Sequence, residues 1–199
     1  MHDKIYLNKE PYMITESDLP CLVTYKSGMG GSHLTVTLVS DLALRGSKII
    51  FFTAYPMAGD NFLKQIGTNH SNIAFINSIS DLKSQSEAQI LILESGNEQL
   101  FIDVVNSIPD LQERIVLIKN IEMFTSKVFE NCFALEKIIL SGDIDNCIAK
   151  EKISKLNLKT LIAFNQPEIN LPIKIGTLEK YIGYLQSDKK SGNISVKIN

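Results

Sequence analysis

Short runs of consecutive apolar residues recur along the chain, with stretches of helical periodicity between most of them. Cys21–Tyr25, Lys48–Thr53, Ile73–Ile76, Gln89–Glu94, Arg114–Lys119, Lys137–Ser141 and Lys159–Phe164 read as strands. Several are almost unbroken Ile, Leu, Val and Phe, the pattern of strands buried on both faces rather than one. Gly31–Arg45, Ala58–Ile66, Glu98–Ile108, Ile121–Ala134 and Asp145–Leu156 have helical length and spacing. In the first of these Leu34, Leu38, Leu42 and Arg45 share one stripe, and Gly46 stands where a C-terminal cap belongs. Alternating strands and helices predict an α/β fold: a mostly parallel sheet flanked by helices.

The rhythm changes at the end. Tyr181–Gln186 and Asn193–Ile198 alternate apolar and polar residues around a polar turn, Ser187–Gly192. This predicts a C-terminal antiparallel β-hairpin added as an edge to the parallel sheet. Residues 1–20, with Pro11 and Pro20, read as a lead-in with one short strand at most. Residues 21–199 then form one domain, since no linker or repeat divides them.

Composition narrows the class. A chain of 199 residues with 44% apolar and 21% charged residues suits one well-packed domain. Its net charge of -2 gives no support to a nucleic-acid partner, although a local basic patch is compatible with it. Of the 20 basic residues only Arg45 and Arg114 are arginine, so guanidinium groups for bidentate phosphate recognition are scarce. Cys21, Cys132 and Cys147 are odd in number and widely spaced, which fits a reducing cytoplasm better than a disulfide framework. The first ten residues contain no apolar signal segment, and no apolar run approaches the roughly 20 residues a membrane helix needs. A cytoplasmic protein without membrane insertion is expected.

The most specific local feature is Tyr25–Thr35, YKSGMGGSHLT, a glycine-rich loop between an apolar strand and an amphipathic helix. Such a loop converges backbone N–H groups and a helix N-terminus on an anion, as in the phosphate-binding pattern G-x-x-x-x-G-K-[ST]. The spacing puts Lys26 at the first glycine, followed by Ser27, Gly28, Met29 and Gly30, with Gly31 at the second. Ser32 and His33 then stand where Lys and Ser/Thr are expected. The ammonium is missing, and His33 is a poor substitute for a magnesium-binding hydroxyl. Lys26 folding back over the phosphates, or Ser32 or Thr35 reaching the metal, would be compensations. His2, His33 and His70 have no ligand spacing, so no metal site is expected from them. A dinucleotide fingerprint is incomplete, because His33 replaces its third glycine.

The order of segments resembles RecA-like P-loop ATPases, including the KaiC and DnaB groups, from about residue 20 onward. The resemblance is carried by Gly31–Arg45 followed by RGSKIIFFTAYPM (Arg45–Met57). In those families a glutamate after the second strand activates water, and Tyr55 stands in its place. QILILES (Gln89–Ser95) looks like their Walker B strand, which makes Glu94 the candidate catalytic carboxylate. IVLIKN (Ile115–Asn120) would bring polar sensors, Lys119 and Asn120. The closing ISVKIN matches a K-x-K pair that reaches a neighbouring subunit, with Lys197 as the first basic residue and Asn199 replacing the second. Phe129–Leu156 has a looser resemblance to conjugation and type IV secretion ATPases, at Asn131, Gly142 and Asp143.

These resemblances imply a nucleotide-binding loop (residues 26–33), ATP and Mg²⁺ as cofactors, and a protein partner or homo-oligomer. The altered positions predict a degenerate site with little or no hydrolysis, in a subunit that regulates or assembles with an ATPase. The alternatives are an active ATPase using Lys26 in a DNA-handling or secretion ring, or a structural module that binds no nucleotide.

Overall fold

The computed structural model describes residues 3–52, 74–75, 90–93, 98–108, 110–173, 175 and 178–197. The predicted helix Ala58–Ile66, Tyr55, Glu94 and Asn199 lie outside the described residues. The strands are β1 (Lys4–Leu7), β2 (Glu10–Tyr12), β3 (Cys21–Thr24), β4 (Ile49–Phe52), β5 (Ala74–Phe75) and β6 (Ile90–Leu93). They continue with β7 (Ile115–Lys119), β8 (Ile138–Gly142), β9 (Thr160–Ala163), β10 (Gly183–Ser187) and β11 (Ser191–Lys197). The described helices are α1 (Gly31–Leu44), α2 (Glu98–Ser107), α3 (Ser126–Cys132) and α4 (Lys150–Ile153).

All of these strands join one sheet in the order β2-β1-β11-β10-β9-β3-β8-β7-β4-β6-β5. Every predicted apolar run in the described residues is a strand of its parallel half, which extends from β9 to β5. The sheet as a whole is mixed rather than mostly parallel, because β9, β10, β11, β1 and β2 pair antiparallel. The predicted hairpin forms, closed by Ser187, whose N–H donates to Lys190 O at 2.8 Å. It is not the edge, however. The lead-in supplies two strands, and β1 pairs along β11 from Lys4↔Lys197 to Leu7↔Ile194. Asn8 and Lys9, with φ 51 and 72, turn that lead-in back into β2.

The continuous apolar runs are explained by two cores, one on each face. Leu22, Ile50, Val116, Ile118 and Leu140 face one core with α2 and α3. Cys21, Val23, Phe51, Ile115, Leu117 and Ile139 face the other, beneath α1. Residues of β3, β8 and β9, and Ile115–Ile118 of β7, therefore alternate between two faces and are all buried. Helix α1 is enclosed more fully than a surface stripe predicts: Val36, Val39 and Ala43 are buried along with Leu34, Leu38 and Leu42. The N-terminal strands contribute to this, with Ile5, Leu7 and Tyr12 in the same core. Gly46, with φ 85, closes α1 as expected, its N–H donating to Ala43 O at 3.0 Å.

Two predicted helices are shorter than their periodicity. Ile121–Ala134 divides into a 3-10 turn, Ile121–Met123, and α3, entered at Thr125, whose N–H and hydroxyl donate to Glu98 at 2.7 and 2.6 Å. Asp145–Leu156 keeps only the single turn α4, because Asp143 accepts from Asp145 N–H and the Asn146 amide and holds the chain in a turn first. Among the described residues no helix is long and apolar enough to cross a membrane.

One ion cluster ties β4 to β7. The Arg114 guanidinium, 5% exposed, donates to both Asp110 oxygens at 2.9–3.1 Å, and Lys48 Nζ lies 3.6 Å from Oδ2. Burial disfavours the Asp110 carboxylate, but Arg114 and Lys48 outweigh it and hold its pKa below the ordinary value. A depressed carboxyl pKa adds stability above the unfolded-state value, and that stability is lost as pH falls through the folded-state value. Asp110→Asn is therefore expected to cost about 1–2 kcal/mol at pH 7 and progressively less as the pH falls below the ordinary carboxyl value, read from urea midpoints across that range.

Candidate functional site

The glycine loop lies at the C-terminal end of β3, between β9 and β8 in the centre of the sheet. Open α/β sheets bind ligands at this end of their strands. Tyr25 N–H donates to Gly142 O at 3.1 Å, and Met29 N–H to Lys26 O at 3.2 Å, so the loop leaves the sheet and folds back tightly. Gly28 and Gly30 take φ of 80 and 92, a region closed to most side chains. Gly30 is the N-cap of α1, and Gly31 is its first helical residue. The left-handed glycine that opens the helix is thus Gly30, one position earlier than the spacing predicts.

The close neighbours of the loop are aromatic. The Tyr25 ring lies flat against Gly31, where an added Cβ would stand 2.6 Å from Tyr25 Cβ and closer still to the ring. A Cβ at Gly30 would meet Tyr181 Cδ1 at 2.8 Å. Tyr181 is 57% exposed and itself has φ 69. Below the loop the Tyr25 hydroxyl lies 3.2 Å from Ser141 Oγ, Ser141 Oγ lies 2.8 Å from Thr35 Oγ1, and Thr35 donates to Gly31 O at 2.9 Å. Burial raises the Tyr25 pKa, against hydrogen bonds from Ser141 and Ser32 and with the added effect of the Glu122 charge. The phenol is neutral at physiological pH and acts as a hydrogen-bonding strut.

The floor beside this network is made by the ends of β7 and β8. Asn120 (φ 59) and Gly142 (φ 147) make the two turns, and a Glu122 carboxylate oxygen accepts Asp143 N–H at 2.9 Å. Lys119 is the last residue of β7 and pairs with Ser141, which in turn pairs with Val23 of β3. Its pKa is lowered by burial.

The predicted site residues separate into groups. Lys26, Ser27 and Gly28 are exposed, Met29 and Gly30 half-buried, and Gly31 buried. Ser32 and His33 are half-buried on the first turn of α1, and His33 Nε2 lies 3.1 Å from an Asp3 carboxylate oxygen. Glu94 lies outside the described residues; β6, which precedes it, stands four places from β3. At the usual strand spacing that is about 19 Å, against about 10 Å for β7. Lys197 ends β11, exposed, three places from β3 on the other side, and emerges at the same end of the sheet as the loop. Tyr25, Ser141, Thr35 and Glu122 were not singled out with the loop, apart from Thr35 as a metal candidate. Only the fold brings residues so distant in sequence together. All three cysteines are buried and unpaired, with thiol pKa values raised by burial. Among the described residues no group of three or more His, Cys, Asp or Glu is placed to hold a metal ion.

Solved structures supply the decisive comparison. The genome packaging NTPase B204 from Sulfolobus turreted icosahedral virus 2, in complex with AMPPCP, is 14% identical and superposes with a TM-score of 0.60. The match covers 93% of this chain and 98% of that one. This chain shares the fold of that viral protein. The same viral protein with sulfate matches at TM-score 0.60 and 16% identity, over 92% of this chain and 97% of that one. The pCW3 conjugation coupling protein TcpA with ATPγS gives a TM-score of 0.50 at 9% identity, covering 97% of this chain and 65% of that one. Neither a protein-family model nor a curated protein sequence matches the chain. These likenesses are of fold, and they do not carry the narrower KaiC- or DnaB-like placement.

Proposed function

We propose that this chain is a P-loop protein that holds the phosphate chain of a nucleoside triphosphate but hydrolyses it weakly or not at all. In this reading it serves as a regulatory or assembly subunit of an NTPase ring. The observation that carries the reading is the position of Gly30. If this left-handed N-cap glycine is the second glycine of the G-x-x-x-x-G-K-[ST] pattern, Tyr25 stands at the first glycine, Gly31 at the lysine and Ser32 at the hydroxyl. The hydroxyl is then retained, and the first glycine and the lysine are lost from the loop.

The groups needed to bind are mainly backbone and remain: Gly28, Gly30 and the N-terminus of a 14-residue helix. The groups needed for hydrolysis are depleted. The strand two places from β3 ends in Lys119 and is followed by Asn120, where a carboxylate would be needed to orient water. Glu94 remains the candidate carboxylate from the sequence, at the end of a more distant strand. Among the described residues, Ser32, Thr35 and the Glu122 carboxylate offer oxygens near the loop, a sparse set for magnesium.

The named roles of the neighbours, genome packaging and conjugation, suit a cytoplasmic subunit working in a multi-subunit assembly. Lys197, exposed at the loop end of the sheet, is the residue we assign to contact with the next subunit. The competing reading, an active ATPase using Lys26, draws on the exposure of that lysine beside the loop. A sensitive phosphate-release assay separates the two. The expected result is turnover below about 10⁻³ s⁻¹, far under the median enzyme. Turnover of about 1 s⁻¹ or more that disappears in Lys26→Ala would establish the active ATPase instead.

A further inference from the structure

The loop has lost its ammonium, yet a lysine lies under the same end of the sheet with no partner among the described residues. Lys119 follows Ile115 and Leu117 on the α1 face of β7, since both belong to the core beneath α1 while Val116 and Ile118 belong to the other. Its Cα partner is Ser141, whose hydroxyl meets Thr35 and Tyr25 directly below the loop. Lys119 therefore projects from the strand next to that network, about 10 Å laterally from β3, and a lysine side chain spans more than half of that gap. It is half-buried, and among the described residues no carboxylate or carbonyl meets its ammonium. A desolvated cation without a partner is costly to maintain, and an anion at the loop would repay that cost.

Resting on the reading that the loop holds phosphates, we propose that Lys119 supplies the missing positive charge from the sheet instead of from the helix. With few oxygen groups beside the loop to hold a metal ion, the site takes an unmetallated polyphosphate, either the phosphate chain of a nucleotide or inorganic tripolyphosphate. The loop amides and α1 N-terminus hold the anion from one side and the ammonium from the other. A metal ion brought in with the nucleotide is repelled by Lys119 and competes with it for the same phosphate oxygens. Binding is therefore independent of Mg²⁺ or weakened by it, the reverse of an ordinary P-loop site.

The test is calorimetric titration of the whole chain with ATP and with tripolyphosphate, each in EDTA and in excess Mg²⁺. Lys119→Met and Lys119→Arg are measured beside wild type, with thermal melts of all three. The expected result is binding in EDTA at least as tight as in Mg²⁺, weakened roughly tenfold or more in Lys119→Met and kept within a few-fold in Lys119→Arg. The Lys119→Met melting point should match or exceed wild type, because the unpaired buried charge is gone. Tripolyphosphate binding as ATP does identifies the phosphate chain as the ligand group; ATP alone binding in EDTA with the same Lys119 dependence assigns the nucleotide. Binding only with Mg²⁺, or unchanged in Lys119→Met, overturns the role of Lys119 while leaving the phosphate-loop reading intact. No binding of either ligand at millimolar concentration overturns both.

Discussion

Gly31→Ala is expected to destabilise the protein by about 2–3 kcal/mol, although alanine is the better helix former at that position. Gly31 has ordinary helical geometry, so the cost is not conformational. It comes from Tyr25, whose ring covers the space a methyl group would need, with Cβ–Cβ at 2.6 Å. The ring cannot retreat, because it is buried and its hydroxyl is fixed to Ser141 at 3.2 Å. Tyr25→Gly alone should also be costly, by about 4 kcal/mol, as a large buried side chain is removed together with its Cβ. In the double variant the methyl group enters the vacated space, and the two losses should fall short of their sum by about 2 kcal/mol. Urea unfolding of the four proteins of this cycle checks it. Additive losses would mean that Tyr25 and Gly31 do not exclude one another.

Gly142→Ala should cost about 3 kcal/mol and resist rescue. Its φ of 147 is unfavourable for alanine, and the new Cβ would stand 2.7 Å from Ile121 N and against the Glu122 carboxylate. A carboxylate at the end of a flexible side chain can move; a backbone nitrogen in a 3-10 turn cannot without opening the end of β7. Glu122→Ala should therefore leave most of the Gly142→Ala loss in place, in contrast to the Tyr25 and Gly31 pair. The unfolding midpoints of the single and double variants give the answer. Full rescue by Glu122→Ala would show the backbone contact to be slack.

What the sequence makes legible follows from where the physics is local. Ile115–Ile118 and Ile138–Leu140 are apolar without interruption because both faces of the sheet are covered, and that pattern alone identifies the parallel strands. The cap at Gly46 is equally local. The lead-in is not legible: Lys4, Tyr6, Glu10 and Pro11 give no strand signal, and Lys9 turns at φ 72 without being a turn residue by type. Its pairing depends on β11, more than 180 residues away, as the Asn193 N–H to Asn8 contact at 2.9 Å illustrates. The loop register was ambiguous for a different reason. GMGG offers three glycines, any of which could make the left-handed turn, and only the start of α1 singles out Gly30. Lys119 was visible as a strand-end polar residue, but its closeness to the loop depends on β7 lying two places from β3, a matter of strand order.

The central claim, that a loop without its lysine still holds phosphate, is tested most directly by titrating wild-type protein with AMPPCP, which removes hydrolysis from the measurement. A single saturable site is expected at high micromolar to low millimolar affinity, about 4–6 kcal/mol of binding free energy, and abolished by Gly30→Val at the loop's left-handed turn. No heat of binding at several millimolar, in a protein shown to be folded, would contradict the account and leave the glycine loop as a turn between a strand and a helix.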